Sequence, residues 1–412
     1  AVLAQVWLSS DSQAFRPVTD SMVSLGLRLC SLCFLHAGRH SVAGSPGPST
    51  PVSFGKRLRD DYFQFRPGFV NFNHGGFGAT PRPVRESMEH FLNQAEAQPT
   101  QWFGAGGYRA VLDGLRPQLA ELMGADAADL VFLDDASSGL NAVLRSLDWR
   151  RGDLLMLTSA AYAVLPNVAR WLERRYGIET IRVNITFPVH GPEAYLGPVG
   201  QALGALGSEQ RQRLRLAVFD HVSSYPPTVL PLAELARLVK QETSGQGLVL
   251  ADGAHALGQI PVDMRELSAA GVDLYVSDGH KWLMAPKGTG FLWAARHAQG
   301  WLQPVVISSD NAPPAGFHER FDYIGTRDYT PWCAVGAALS FRRQVLGGER
   351  RIQDYTAGLS RWAGGALARR FGTSTVAADS MTASMAAVRL PLPAAWPSSR
   401  QQECVDDMQL GL

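Results

Sequence analysis

A chain of 412 residues that is 46% hydrophobic and 18% charged can build one large core and a smaller second domain. Its net charge of +1 offers no electrostatic footprint for nucleic acid or for an acidic partner. No run of about 18 uninterrupted apolar residues marks a membrane span, and four cysteines are too few for a disulfide framework.

The chain starts at Ala1. From Met22 to Arg59 it has no Asp or Glu, yet it carries Arg28, Arg39, Lys56, Arg57 and Arg59 among serines. That composition fits an organelle transit segment with a mitochondrial or plastid address. A disordered extension on a cytoplasmic protein fits equally. Cys30 and Cys33 have no second pair at zinc-finger spacing, so they read as incidental thiols and no metal site is expected. The Gly-Ser-Pro run from Gly44 to Pro51 reads as linker. Residues 1–50 are therefore expected to lie outside the fold.

Past residue 70, helical and strand patterns alternate. Pro81 and Pro83 open a helix over Arg82–Gln94, and Gly124 closes another over Tyr108–Met123. Leu130–Leu133 is a short apolar strand, followed by a helix over Ser138–Leu147. A strand at Leu154–Leu157 precedes a helix at Asn167–Tyr176 and a strand at Glu179–Val183. Strands at Leu214–Phe219, Leu248–Ala251, Leu274–Ser277 and Gly290–Trp293 alternate with helices at Leu232–Glu242 and Met264–Ala270.

This order predicts an α/β fold with a mostly parallel sheet flanked by helices. Its ligand is expected beyond the carboxyl ends of the strands. The chain is expected to be helical from about Ala334 through Arg351. Residues 51–330 would form the large domain. Residues 331–412 would give a connecting helix and a smaller C-terminal α+β domain that is cut short. In that domain Met385–Pro391 begins a strand-like run, and Pro397–Leu412 has little pattern.

Three features suggest chemistry. Asp252 ends an apolar strand, where a buried carboxylate is costly unless it has a cationic partner. A protonated pyridine nitrogen is one such partner; a helix N-cap is the alternative. Lys281 follows the next strand in Ser277-Asp278-Gly279-His280-Lys281-Trp282, 29 residues after Asp252. A lone loop lysine is usually solvated. One placed a strand away from Asp252 is suited to bind an aldehyde as a Schiff base. Third, Ala136-Ser137-Ser138-Gly139-Leu140-Asn141 places hydroxyls and free N–H groups at a helix start, which suits a phosphate or an ordinary cap.

Together these residues resemble the class V aminotransferases, which are pyridoxal 5'-phosphate (PLP) enzymes of fold type I. The run from Ser277 to Leu283, followed by Ala285-Pro286-Lys287-Gly288-Thr289-Gly290-Phe291-Leu292, is similar to the cofactor-lysine motif. Asn71-Phe72-Asn73-His74-Gly75-Gly76-Phe77-Gly78-Ala79 resembles the isopenicillin N epimerase-like branch. That branch includes plant-type L-cysteine desulfhydrases and related C–S lyases. The likeness covers roughly residues 55 to 345.

The resemblance implies that Lys281 is the Schiff-base lysine and that Asp252 pairs with the pyridine nitrogen. His255 and Ser224 would lie near the ring hydroxyl. Ser137, Ser138, Ser277 and His280 would contact the phosphate, and Tyr162 would stack on the ring. His74 and Gly75 would flank the substrate. The run Gly325-Thr326-Arg327-Asp328 would complete the partner's site in a homodimer, with Thr326 reaching its phosphate. Ser137 and Ser138 stand where the family often has threonines, with the hydroxyls retained. The family's carboxylate-binding Arg has no identified counterpart in the tail.

The implied substrate is a small amino acid, with neither nucleic acid nor membrane as partner. β-Elimination needs only the lysine and a good leaving group, so a C–S lyase such as an L-cysteine desulfhydrase is expected. Epimerisation is the runner-up. A cysteine desulfurase would need a mobile thiol, and neither Cys333 nor Cys404 sits in a Gly- or Ser-rich loop. A shortened small domain could instead leave an inactive PLP-binding remnant.

Overall fold

The computed structural model describes residues 3–7, 51–104, 106–392, 397 and 400. The Cys30–Cys33 pair, the linker run before Pro51, most of the expected transit segment and Cys404 lie outside the described residues.

Nine strands are described: β1 (Leu3–Trp7), β2 (Leu130–Leu133), β3 (Leu154–Thr158), β4 (Glu179–Val183), β5 (Leu214–Asp220), β6 (Leu248–Asp252), β7 (Leu274–Asp278), β8 (Gly290–Ala294) and β9 (Met385–Arg389). Seven of them form the central sheet, in the order β2-β8-β7-β6-β5-β3-β4. Its inner strands read as largely apolar runs because both faces are covered, whereas the edge strand β4 carries the exposed Glu179 and Arg182. On β5, Ala217 and Phe219 enter one core while Leu216 and Val218 enter the other. On β7, Tyr275 faces the first core and Leu274 and Val276 the second.

Strand β8 runs antiparallel to both β2 and β7. The connection from β7 to β8 spans residues 279–289, too few for a crossover helix, so the chain must turn straight back. That return carries Lys281. Connection length therefore keeps the lysine at the carboxyl edge of the parallel strands.

Helix boundaries follow the caps. The helix expected over Ser138–Leu147 spans Ala136–Ser146, because Asp135 caps it by accepting the Ser138 N–H at 2.6 Å. The helix expected from Asn167 begins at Val164. The continuous helix expected from Ala334 to Arg351 is corrected. Val335–Ser340 runs into a π-helical turn at Phe341–Val345, and a new helix, Glu349–Phe371, starts after Gly347 and Gly348. Both glycines have positive φ, 84° and 91°, which ends a right-handed helix. The exclusion of residues 1–50 from the fold is corrected for Leu3–Trp7 alone. β1 pairs in parallel with β9, Leu3 opposite Met385. Among the described residues no helix is long and apolar enough to cross a membrane.

Candidate active site

Three adjacent parallel strands end in aspartate. Asp220 closes β5, Asp252 closes β6 and Asp278 closes β7. Asp220 and Asp252 are register partners, and Asp278 lies two residues beyond the Val276 that faces Asp252. By the two-residue period of a strand all three lie on the side of Val218, Leu250 and Val276. Each is almost fully buried.

Lys281 is the cation that meets them. Its Nζ lies 3.0 Å from Asp278 Oδ2 and 3.2 Å from His255 Nε2. The Tyr162 ring centroid is 5.9 Å away, in the turn after β3, and Tyr162 is well exposed. Burial raises Asp252 from the usual 3.8 to about 6, although its carboxylate accepts the Ala254 N–H at 3.0 Å. Burial and the neighbouring Asp252 push Asp220 well above the carboxylate range, and Asp220 Oδ2 has no partner among the described residues. Burial holds His255 well below its usual range, so it is neutral. With Nε2 facing the lysine amine, its proton belongs on Nδ1, a buried atom that has no partner among the described residues.

The lysine backbone is held from the N-terminal arm. His74 Nε2 lies 3.1 Å from the Lys281 carbonyl. Burial lowers His74 to about 3, so the neutral ring donates this bond. Gly78 has φ 66°, and a Cβ there would sit 1.7 Å from the His280 carbonyl oxygen. The glycine thus allows the arm to lie against the lysine loop. His74 and Gly75 are buried beneath that loop.

Ser137 and Ser138 are half-buried at the start of Ala136–Ser146, a helix start tied to the end of β7 through Asp278. Their N–H groups are partly committed. Asp278 Oδ1 accepts the Ala136 N–H at 2.7 Å, and Asp135 accepts from both the Ser138 N–H and its hydroxyl. His280 Nδ1 lies 3.2 Å from the Thr289 carbonyl and 3.8 Å from Asp278 Oδ1. Ser224 is half-buried in the turn after β5.

One expected contact is not assembled. Ser277 is fully buried and donates its hydroxyl to the Gly253 carbonyl at 2.8 Å. Its expected phosphate contact is corrected: strand alternation turns Ser277 toward the opposite core and turns Asp278 toward the site. Thr326 is exposed, and its hydroxyl bonds Tyr323 Oη at 3.0 Å. Sequence reasoning missed Asp278, Asp220 and Asp135. The signal was present for two of them: Leu216–Phe219 and Leu274–Val276 are apolar stretches of strand, and each strand closes on aspartate, Asp220 and Asp278.

The donor set fits one end of PLP better than the other. At the ring end stand a buried carboxylate for a protonated nitrogen, an amine for the aldehyde, and an orphaned imidazole N–H for the phenolic oxygen. At the phosphate end, the hydroxyls of Ser137 and Ser138 and the imidazole of His280 suit a phosphate, but Asp135 already takes the Ser138 hydroxyl and Asp278 stands 3.8 Å from His280.

The class-V aminotransferase profile matches residues 71–392. A putative L-cysteine desulfhydrase of Oryza sativa subsp. japonica is 28% identical, covering 81% of this chain and 70% of the relative. The isopenicillin N epimerase of Streptomyces clavuligerus is 30% identical over 79% of this chain and 82% of its own. The cystine C–S lyase C-DES, solved with its reaction product cysteine persulfide, superposes with a TM-score of 0.58 at 25% identity, covering 71% of this chain and 76% of that one. The chain belongs to the class-V aminotransferase family.

Proposed function

We propose that this protein is a PLP-dependent C–S lyase acting on a small sulfur amino acid such as L-cysteine. The observation that carries the reading is the meeting of Lys281 Nζ with Asp278 at 3.0 Å and His255 at 3.2 Å, one strand from buried Asp252. When bound, the cofactor supplies an electron sink for the carbon that bears the amino group. Lys281 would hold the cofactor through its amine and, when free, would carry the α-proton as base. Asp252 favours the protonated ring nitrogen. His255 donates from Nδ1. Elimination from L-cysteine would release sulfide, with pyruvate and ammonia after hydrolysis, and needs no protein thiol.

Cys333 supports elimination over persulfide transfer. It is only 2% exposed, and burial pushes its thiol up to about 12. Epimerisation is the second reading, favoured by the 30% identity to isopenicillin N epimerase. Thr326, exposed on its loop, supports a homodimer in which it reaches the partner's phosphate site. Likeness to a relative named as chloroplastic, from Arabidopsis thaliana, supports an organellar address.

PLP-loaded protein given L-cysteine is expected to release sulfide and pyruvate in equal amounts. Protein that keeps a borohydride-sensitive band near ~420 nm, yet forms neither product, would reject the lyase. Solvent deuterium entering at the α-carbon without sulfide release would favour the epimerase. Lys281→Ala is expected to abolish the reducible band.

A further inference from the structure

We infer that Asp278 sets how tightly this chain holds the phosphate of its cofactor, and that it keeps the hold weak. The inference rests on the PLP reading above and concerns the end of the site where the donor set fits poorly.

Asp278 engages both sides of the expected phosphate pocket at once. Its Oδ1 accepts the Ala136 N–H at 2.7 Å, the first N–H of Ala136–Ser146. The same oxygen lies 3.8 Å from His280 Nδ1. Its Oδ2 pairs with Lys281 at 3.0 Å. The carboxylate is 4% exposed, so water screens it little. Asp135 takes a second donor of the same helix start, the Ser138 N–H at 2.6 Å.

A helix N-terminus binds a phosphate through free N–H groups and the positive end of its dipole. Here the nearest anion is part of the protein. A phosphate held by Ser137, Ser138 and His280 would lie within a few ångströms of the Asp278 charge, which is 3.8 Å from His280 Nδ1 and bonded to the residue before Ser137. At that separation two like charges repel strongly near a protein surface. While Asp278 stays on the Ala136 N–H, that repulsion works against seating the phosphate. The bond from Asp278 to Lys281 must also break before the amine can meet an aldehyde.

That second effect falls equally on PLP and on pyridoxal, which lacks the phosphate. The repulsion falls on PLP alone. The ratio of their affinities therefore isolates the phosphate effect from the lysine effect.

The test is titration of full-length wild type, Asp278→Asn and Asp278→Ser with PLP and with pyridoxal, following the reducible band. Asn keeps an oxygen for the Ala136 N–H and loses the charge. Serine serves if the Asn protein does not fold. The preference for PLP over pyridoxal is expected to rise at least tenfold in the variant, and inorganic phosphate is expected to compete more strongly with PLP. An unchanged or lower preference overturns the inference while leaving the PLP reading intact. A missing band with both compounds, in wild type and variants alike, removes the PLP reading and the inference with it.

Discussion

Replacing Asp252 with Asn should stabilise the cofactor-free protein while weakening its hold on the cofactor. Asp252 is 3% exposed, and its pKa rises from the usual 3.8 to about 6 because burial strips water from the charged form. At about 1.4 kcal/mol per pH unit, ionising it in the folded state at neutral pH costs about 3 kcal/mol more than in the unfolded chain. The sign follows from proton binding. Between pH 4 and 6 the folded state holds the proton that the unfolded state releases, so wild type loses stability as pH rises through that window. Asn keeps an oxygen for the Ala254 N–H and carries no charge. Urea unfolding of cofactor-free protein from pH 4 to 8 is expected to show near-equal stabilities at the acid end. By pH 7 the Asn variant should lead by about 3 kcal/mol. PLP affinity of the same variant should fall at least tenfold, because a neutral amide no longer favours a protonated ring nitrogen. A lead under about 1 kcal/mol at pH 7, or one that persists unchanged at pH 4, would refute the reasoning.

Two other perturbations follow from the packing. Gly78→Ala forces a Cβ to 1.7 Å from the His280 carbonyl oxygen, and that backbone leads directly into Lys281. Stability should drop by about 2–4 kcal/mol by denaturant unfolding, with a weaker reducible band. A change within about 0.5 kcal/mol would show that the arm does not lie on the lysine loop. Cys333 should resist alkylation in the native protein and react only on unfolding, as followed by peptide mass spectrometry. Cys333→Ala should retain sulfide release from L-cysteine; loss of that activity in a folded variant would revive the persulfide route.

The sheet could be read from sequence because burial on both faces makes its strands continuous apolar runs, as in Leu216, Ala217, Val218 and Phe219 of β5. Lys281 and Asp252 could be placed because each directly follows or ends such a run. What stayed hidden depended on distances across the chain. The Ser277 error is one residue of strand phase: Ser277 and Asp278 are neighbours in sequence, but they face opposite sides of β7. Composition could not decide which of them faced the site. The strand pair β1–β9 joins segments more than three hundred residues apart, and no local pattern announces such a pairing. The break at Gly347 and Gly348 was visible as two glycines, but helical periodicity on either side masked it.

Charge balance at the carboxyl edge ties these observations together. Asp220, Asp252 and Asp278 converge there, and Lys281 is their nearest cation. The imidazoles of His74, His221 and His255 are all kept neutral by burial and return no charge. The excess negative charge shows in Asp220, whose carboxyl burial and the neighbouring Asp252 push well above its usual range. Such an edge favours a ligand that arrives cationic and resists one that arrives anionic. PLP is both, with a protonatable ring nitrogen at one end and a phosphate at the other. The two ends therefore respond oppositely to the same aspartates. Neutralising Asp252 should loosen the ring, and neutralising Asp278 should tighten the phosphate. A site in which both substitutions moved PLP affinity in the same direction would not be organised by charge.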